Sequence, residues 1–118
     1  MTASKIINKA IIMLGYQTLK KTGSISDFEQ SALSALNIVY ADLFFLYYED
    51  NFSEITDASQ PVNLPQKALY DVMPYGVAAF IASSQGDNDN QQFYSEIYNL
   101  KRKNLNADKT FQDTVPTV

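Results

Sequence analysis

Apolar side chains recur at Ile6, Ile7, Ala10, Ile11 and Leu14, with Lys5, Asn8 and Lys9 on the opposite face. That is the one-sided stripe of a helix over residues 3–14. Thr2 or Ser4 can cap its start, and Gly15 can end it. Residues 16–25 read as a connection, because Lys20-Lys21-Thr22-Gly23-Ser24 is turn chemistry and its lysines suit a solvated loop. Ser26 and Glu29 then stand at capping-box spacing, the serine oxygen facing the Glu29 amide and the glutamate reaching back. The stripe that follows runs Phe28, Ala32, Leu33, Leu36, Val39, Tyr40, Leu43, Phe44, and predicts a second helix of about 20 residues, the longest amphipathic one. Its end, Leu43 to Tyr48, is apolar nearly all round. A helix of that kind is covered on every side, so this cluster either meets another chain or lies beneath residues 51–63.

Residues 49–65 are polar, hold two prolines, and form a long loop with room for one brief strand, anchored by Phe52 and Ile55. The most apolar long segment is Gln66 to Gly86, which begins after Pro65 and ends at a glycine. It predicts the central helix, with Leu69, Val72, Met73, Gly76, Val77, Phe80 and Ile81 as its stripe. Pro74 lies inside it, removes a backbone donor, and crowds the carbonyl four residues earlier; a kink or break near Val72–Met73 is expected. Gly76, Ala78 and Ala79 make the second half slim enough for another helix to approach closely. Asp87 or Asp89 can cap a last helix over residues 90–105. Phe93, Ile97 and Leu100 form one face of it, Tyr94, Tyr98 and Leu105 the flank, and Lys101-Arg102-Lys103 fall in the predicted last turn, where the helix dipole favours them. Residues 106–118 show no helical period. The pattern therefore predicts an all-α fold: a small bundle of four main helices, a long loop between the second and third, and an extended C-terminal tail. The helical domain spans residues 1–105 and the tail residues 106–118.

Composition narrows the chemistry. The 118 residues suit one domain, with about two-thirds of the unfolded surface buried on folding. A formal net charge of -4 disfavours a whole-protein grip on nucleic acid or anionic lipid. The chain has no cysteine and no histidine, which removes thiolate sites, disulfides and the commonest general base. No glycine-rich phosphate loop is present, and Ser83-Ser84 have no evident base. The paired carboxylates, Glu49-Asp50 and Asp87/Asp89, stand at helix ends, and Asp87-x-Asp89 lacks the further ligand spacing of a calcium loop. No cofactor, metal or catalytic group is therefore expected, and the protein reads as no enzyme. Asn8 and Lys9 interrupt any signal-type apolar core, and no run approaches the roughly 20 apolar residues that span a bilayer, so synthesis in the cytosol and no membrane contact are expected. Aromatics make up 13 %, eight of them tyrosine, which points toward protein–protein contact.

Leu64-Pro65, Ala68-Leu69, Pro74-Tyr75-Gly76-Val77-Ala78-Ala79, Gly86-Asp87, Phe93-Tyr94 and Tyr98 together resemble the head–tail connector (adaptor) proteins of tailed bacteriophages. Ile6-Ile7, Ile11, Leu14-Gly15, Ala35-Leu36-Asn37 and Tyr40-Ala41-Asp42-Leu43 support the resemblance, which covers roughly residues 4–103. It implies a virion protein, made in the bacterial host cytoplasm, whose copies form a ring of about twelve. The ring joins the portal to the stopper or tail and continues a channel through which DNA passes without sequence-specific binding. Carried onto this chain, the resemblance implies a subunit interface at Phe44, Phe45, Tyr47, Tyr48 and Phe52, and a portal-docking tail with Phe111, Val115 and Pro116. The loop at 49–63 would project toward a neighbour or the channel. Ser26, Glu29, Pro74, Gly76 and Gly86 would be structural. The alternative expectation is a small helical protein-interaction or regulatory module without catalytic activity.

Overall fold

The computed structural model describes residues 1–16 and 25–114, with side chains described for 1–16 and 29–105. The fold is all-α. Helix α1 spans Ala3–Leu14, α2 Ile25–Tyr47, α3 Met73–Ser84 and α4 Asn88–Thr114; a π-helical turn at Ala68–Val72 leads into α3. Among the described residues no helix is long and apolar enough to cross a membrane. Helix α3 is central and packs against α1, α2 and α4. Its small residues Gly76, Ala78, Ala79 and Ala82 are all buried, and slimness on every side is what lets three helices reach it.

The predicted stripe of α1 is the buried face: Ile6, Ile7, Ala10, Ile11 and Leu14 are all in the core. Thr2 caps the helix by accepting from the Lys5 amide at 3.3 Å. The free amides of Ala3 and Ser4 donate to the carbonyls of Gln60 and Ala58 at 3.0 and 2.8 Å. The long loop thus supplies acceptors that a helix start otherwise takes from water. Helices α1 and α3 end alike. Gly15 at φ 73° and Gly86 at φ 71° adopt the left-handed conformation, and the next amides, Tyr16 and Asp87, donate back to Ile11 and Ala82 at 3.3 and 2.9 Å. This six-to-one bond satisfies carbonyls that the helix end leaves open.

Pro74 breaks the α-helical ladder as expected, and the break takes the form of a wider turn. The Met73 amide reaches Ala68, five residues back, rather than four. Pro74 has no amide for Tyr70, and the Tyr70 carbonyl accepts Lys9 Nζ from α1 at 3.2 Å. A residue 61 positions away thereby supplies the donor that the proline lacks.

Two boundaries differ from the sequence pattern. Helix α2 starts at Ile25, just ahead of Ser26, and the side chains of the expected Ser26–Glu29 box fall outside the description except for Glu29, which is exposed. Helix α4 continues past Leu105 to Thr114, and with 27 residues it, rather than α2 with 23, is the longest described helix. The basic triplet therefore sits within the helix, and the dipole does not account for it. Lys101 pairs instead with Asp71 at 2.9 Å, and Arg102 grips Asp42 with Nε and Nη2 at 2.7 and 2.9 Å.

Candidate functional site

The aromatic end of α2 is built in two tiers. Phe44 is half-buried and central, with ring centroids 6.1 Å from Tyr40, 5.4 Å from Phe45, 4.9 Å from Tyr48 and 5.5 Å from Phe52. Phe52 comes from the loop and lies edge-on to Tyr40 at 5.0 Å. The loop therefore covers the inner tier, as one of the two sequence readings held. The outer tier stays uncovered: Phe45 is 58 % exposed and Tyr48 38 %. Tyr47, the last residue of α2, is half-buried beside Tyr48. Exposed Glu49 and Asp50 follow directly, so the uncovered rings have an acidic border.

The loop itself is laid back on the bundle rather than projecting from it. Asn37 of α2 holds Ile55 by both backbone groups, donating to its carbonyl at 2.9 Å and accepting its amide at 2.7 Å. Tyr40 Oη accepts the Asn63 amide at 3.3 Å, and Thr2 and Pro61 form an isolated antiparallel bridge. Ile55, Val62 and Leu64 are buried. Gln60 Oε1 gathers the amides of Thr56 and Asp57 at 2.7 and 2.8 Å, which tightens the turn at the loop's tip. The apolar residues at every few positions of this loop signalled such anchoring; Asn37 did not, because its bond is specific to the fold.

Helix α4 turns a different face inward than its hydropathy suggests. Tyr98 and Leu105 are buried and Tyr94 half-buried, while Phe93 is 55 % exposed and Leu100 62 %. The tyrosines go inside because each hydroxyl finds a partner. Tyr94 donates to the Met13 carbonyl in the last turn of α1 at 2.7 Å, and Tyr98 donates to Asp42 at 2.6 Å. Tyr16 likewise donates to Asp87 at 2.7 Å, the residue whose other oxygen takes the Asn90 amide at the start of α4. Burial, then the bond to Asp42 and its charge, raises the Tyr98 hydroxyl well above the usual tyrosine range; burial, then Asp87, does the same for Tyr16. Asp87 is lowered in turn, first by the Tyr16 hydroxyl. With Tyr40, four of the eight tyrosines serve as internal struts, so the tyrosine excess speaks less for outside contacts than composition suggested.

Pro74 and Gly76 are buried in α3, while Gly86 is exposed and takes the left-handed conformation after it. Gly76 is where three helices meet: a Cβ placed there would stand 2.7 and 2.8 Å from the Tyr98 ring and 3.0 Å from Val39. Phe111 lies within α4 with its side chain outside the description, and Val115 and Pro116 lie outside the described residues. Among the described residues no three acidic side chains converge to hold a metal ion. No family model, curated protein or solved structure matches the chain.

Proposed function

We propose that this chain is a structural subunit of a phage head–tail connector, an adaptor whose copies form a ring between the portal and the stopper or tail. The observation that carries the reading is the uncovered outer tier of α2. The loop's Phe52 lies against Phe44, and Phe45 and Tyr48 still face outward. Rigid aromatics left outside the buried core, with an acidic border, are the composition of a contact site for another chain. The quoted sequence resemblance names the assembly in which such a contact would serve. An acidic subunit also suits the lining of a passage for DNA, since like charge disfavours adhesion to phosphate.

The loop contributes to this surface by presenting Phe52 under Phe45, at 6.1 Å between centroids, and not by reaching outward. Co-expression with a portal protein and electron microscopy test the proposal. Portals decorated by a ring of this chain support it; bare portals in the presence of folded protein sink it. Phe45→Ala should lose decoration with little loss of thermal stability. Phe44→Ala should lower stability itself, by about 3 kcal/mol, because its ring touches four others.

A further inference from the structure

All lysines and arginines of the chain lie outside Thr22–Gln66, while seven of the 13 acids lie within it. The described part of that segment is α2 and the loop folded back on it. One cation is brought to it by the fold: Arg102 of α4, which grips Asp42. Asp57 takes the amide and hydroxyl of Ser59 at 2.8 and 2.7 Å. Glu49, Asp50 and Glu54 are exposed, and no described residue bonds or pairs with them. Helix α2 also ends beside them with no basic residue in its last turn, so the negative end of its dipole adds to the same field. At this acidic corner stand the two uncovered rings. Phe45 is braced edge-on by Phe44 at 5.4 Å and tilted against Phe52 at 6.1 Å, and Tyr48 leans on Phe44 at 4.9 Å. Rings held in this way have little freedom left to lose on binding.

We propose that this corner binds an arginine-bearing segment of a partner protein, with an aliphatic side chain against Phe45 and the guanidinium shared by the Tyr48 ring and the carboxylates of Glu49, Asp50 and Glu54. The proposal rests on reading the outer tier as a contact site for another chain, and names the chemistry of what meets it. Charge complementarity selects the occupant. Nucleic acid and anionic lipid are repelled by an acidic corner. A neutral apolar segment would cover the rings and strip water from three carboxylates without replacing it. A cationic segment with aliphatic neighbours answers both the rings and the acids. Arginine suits the corner better than lysine does. Its planar, weakly hydrated guanidinium stacks on an aromatic face and still gives parallel hydrogen bonds to a carboxylate, whereas an ammonium acts as a point charge that water holds more firmly.

The probe is a capped peptide of sequence ARLARLA, added to isotope-labelled protein up to about 1 mM, a level that populates the weak Kd of a few exposed contacts. Amide shifts in the nuclear magnetic resonance spectrum should gather in residues 45–54. The same peptide with citrulline, the uncharged isostere of arginine, should bind about tenfold more weakly, and with lysine about threefold more weakly. Glu49→Gln, Asp50→Asn and Glu54→Gln together should weaken the arginine peptide by about tenfold. Glu29→Gln, Asp89→Asn and Glu96→Gln together remove equal charge from exposed sites elsewhere, and should leave its binding unchanged. Absence of binding at 1 mM, shifts centred outside 45–54, equal binding of the citrulline or lysine peptide, or an equal loss from both triple variants would each overturn the proposal. Decorated portals without arginine-selective binding would overturn it and leave the connector reading intact. Arginine-selective binding at 45–54 beside bare portals would do the reverse.

Discussion

Replacing Gly76 by alanine isolates the tightest point of the fold. In an ordinary helix interior the change stabilises by roughly 0.5–1 kcal/mol, because alanine loses less backbone entropy. Here the new methyl would lie 2.7 and 2.8 Å from two carbons of the Tyr98 ring and 3.0 Å from Val39. Carbon atoms prefer about 3.5–4.0 Å, so the ring would have to retreat by close to 1 Å. It has no room to do so cheaply. Tyr98 is 7 % exposed, and its hydroxyl is tied at 2.6 Å to Asp42, itself gripped by Arg102. Overpacking of this kind costs about 1–3 kcal/mol, and stretching the tyrosine–carboxylate bond adds about 1 more. The net expectation is a loss of about 1–3 kcal/mol, read as an earlier urea midpoint in far-ultraviolet circular dichroism at unchanged slope. A double-mutant cycle sharpens the test: in a Tyr98→Ala background the cost of Gly76→Ala should vanish or reverse. A Gly76→Ala protein as stable as wild type or more so, in the native background, would refute the reasoning.

Two further outcomes follow from bonds between distant segments. Asn37→Ala removes both partners of the Ile55 backbone, and should lower stability by about 1–3 kcal/mol while speeding amide exchange at Ile55 far more than in α3. The Tyr16 and Tyr98 hydroxyls are raised by folding, so their contribution is complete below the ordinary tyrosine value of about 10 and is lost as pH rises beyond it toward the folded values. Tyrosinate absorbance near 295 nm should accordingly place the ionisation of Tyr16 and Tyr98 above the ordinary tyrosine range, and Tyr98→Phe should flatten the alkaline decline; ionisation of both at ordinary tyrosine values in the folded chain would contradict the assignments.

The helices were legible where packing is purely apolar. The α1 stripe, the central place of the 66–86 segment and the disturbance at Pro74 all follow from spacing and from proline's missing donor. The form of that disturbance was not legible, since proline's missing donor says where the ladder breaks but not that the Met73 amide reaches back to Ala68, nor that the fold brings Lys9 to the Tyr70 carbonyl. The inward face of α4 was not legible for a related reason. Hydropathy ranks Phe93 and Leu100 above Tyr94 and Tyr98, yet a tyrosine buries well once its hydroxyl is answered, and Met13 and Asp42 answer these two from other helices. Lys101 and Arg102 looked like a helix terminus because the following residues lack an apolar period; in the fold they pair with Asp71 and Asp42. At the candidate site, the sequence named the right aromatic cluster but could not divide it. That division depends on Phe52, which lies over Tyr40 and Phe44 and leaves Phe45 and Tyr48 outside.

The slim central helix has an informational cost. A surface of glycine and alanine fixes other helices at few points, Gly76 under the Tyr98 ring being one, because apolar attraction itself has no direction. Position along such a surface must be written elsewhere, in a few polar bonds that exist at one register only. Lys9 on the Tyr70 carbonyl and Tyr94 on the Met13 carbonyl are bonds of that kind, and a slide of one helical turn would break both. Their worth is in choosing among nearly equal packings more than in strengthening the chosen one. Removing both side-chain donors would therefore cost little heat stability and yet give a protein that no longer holds a single arrangement.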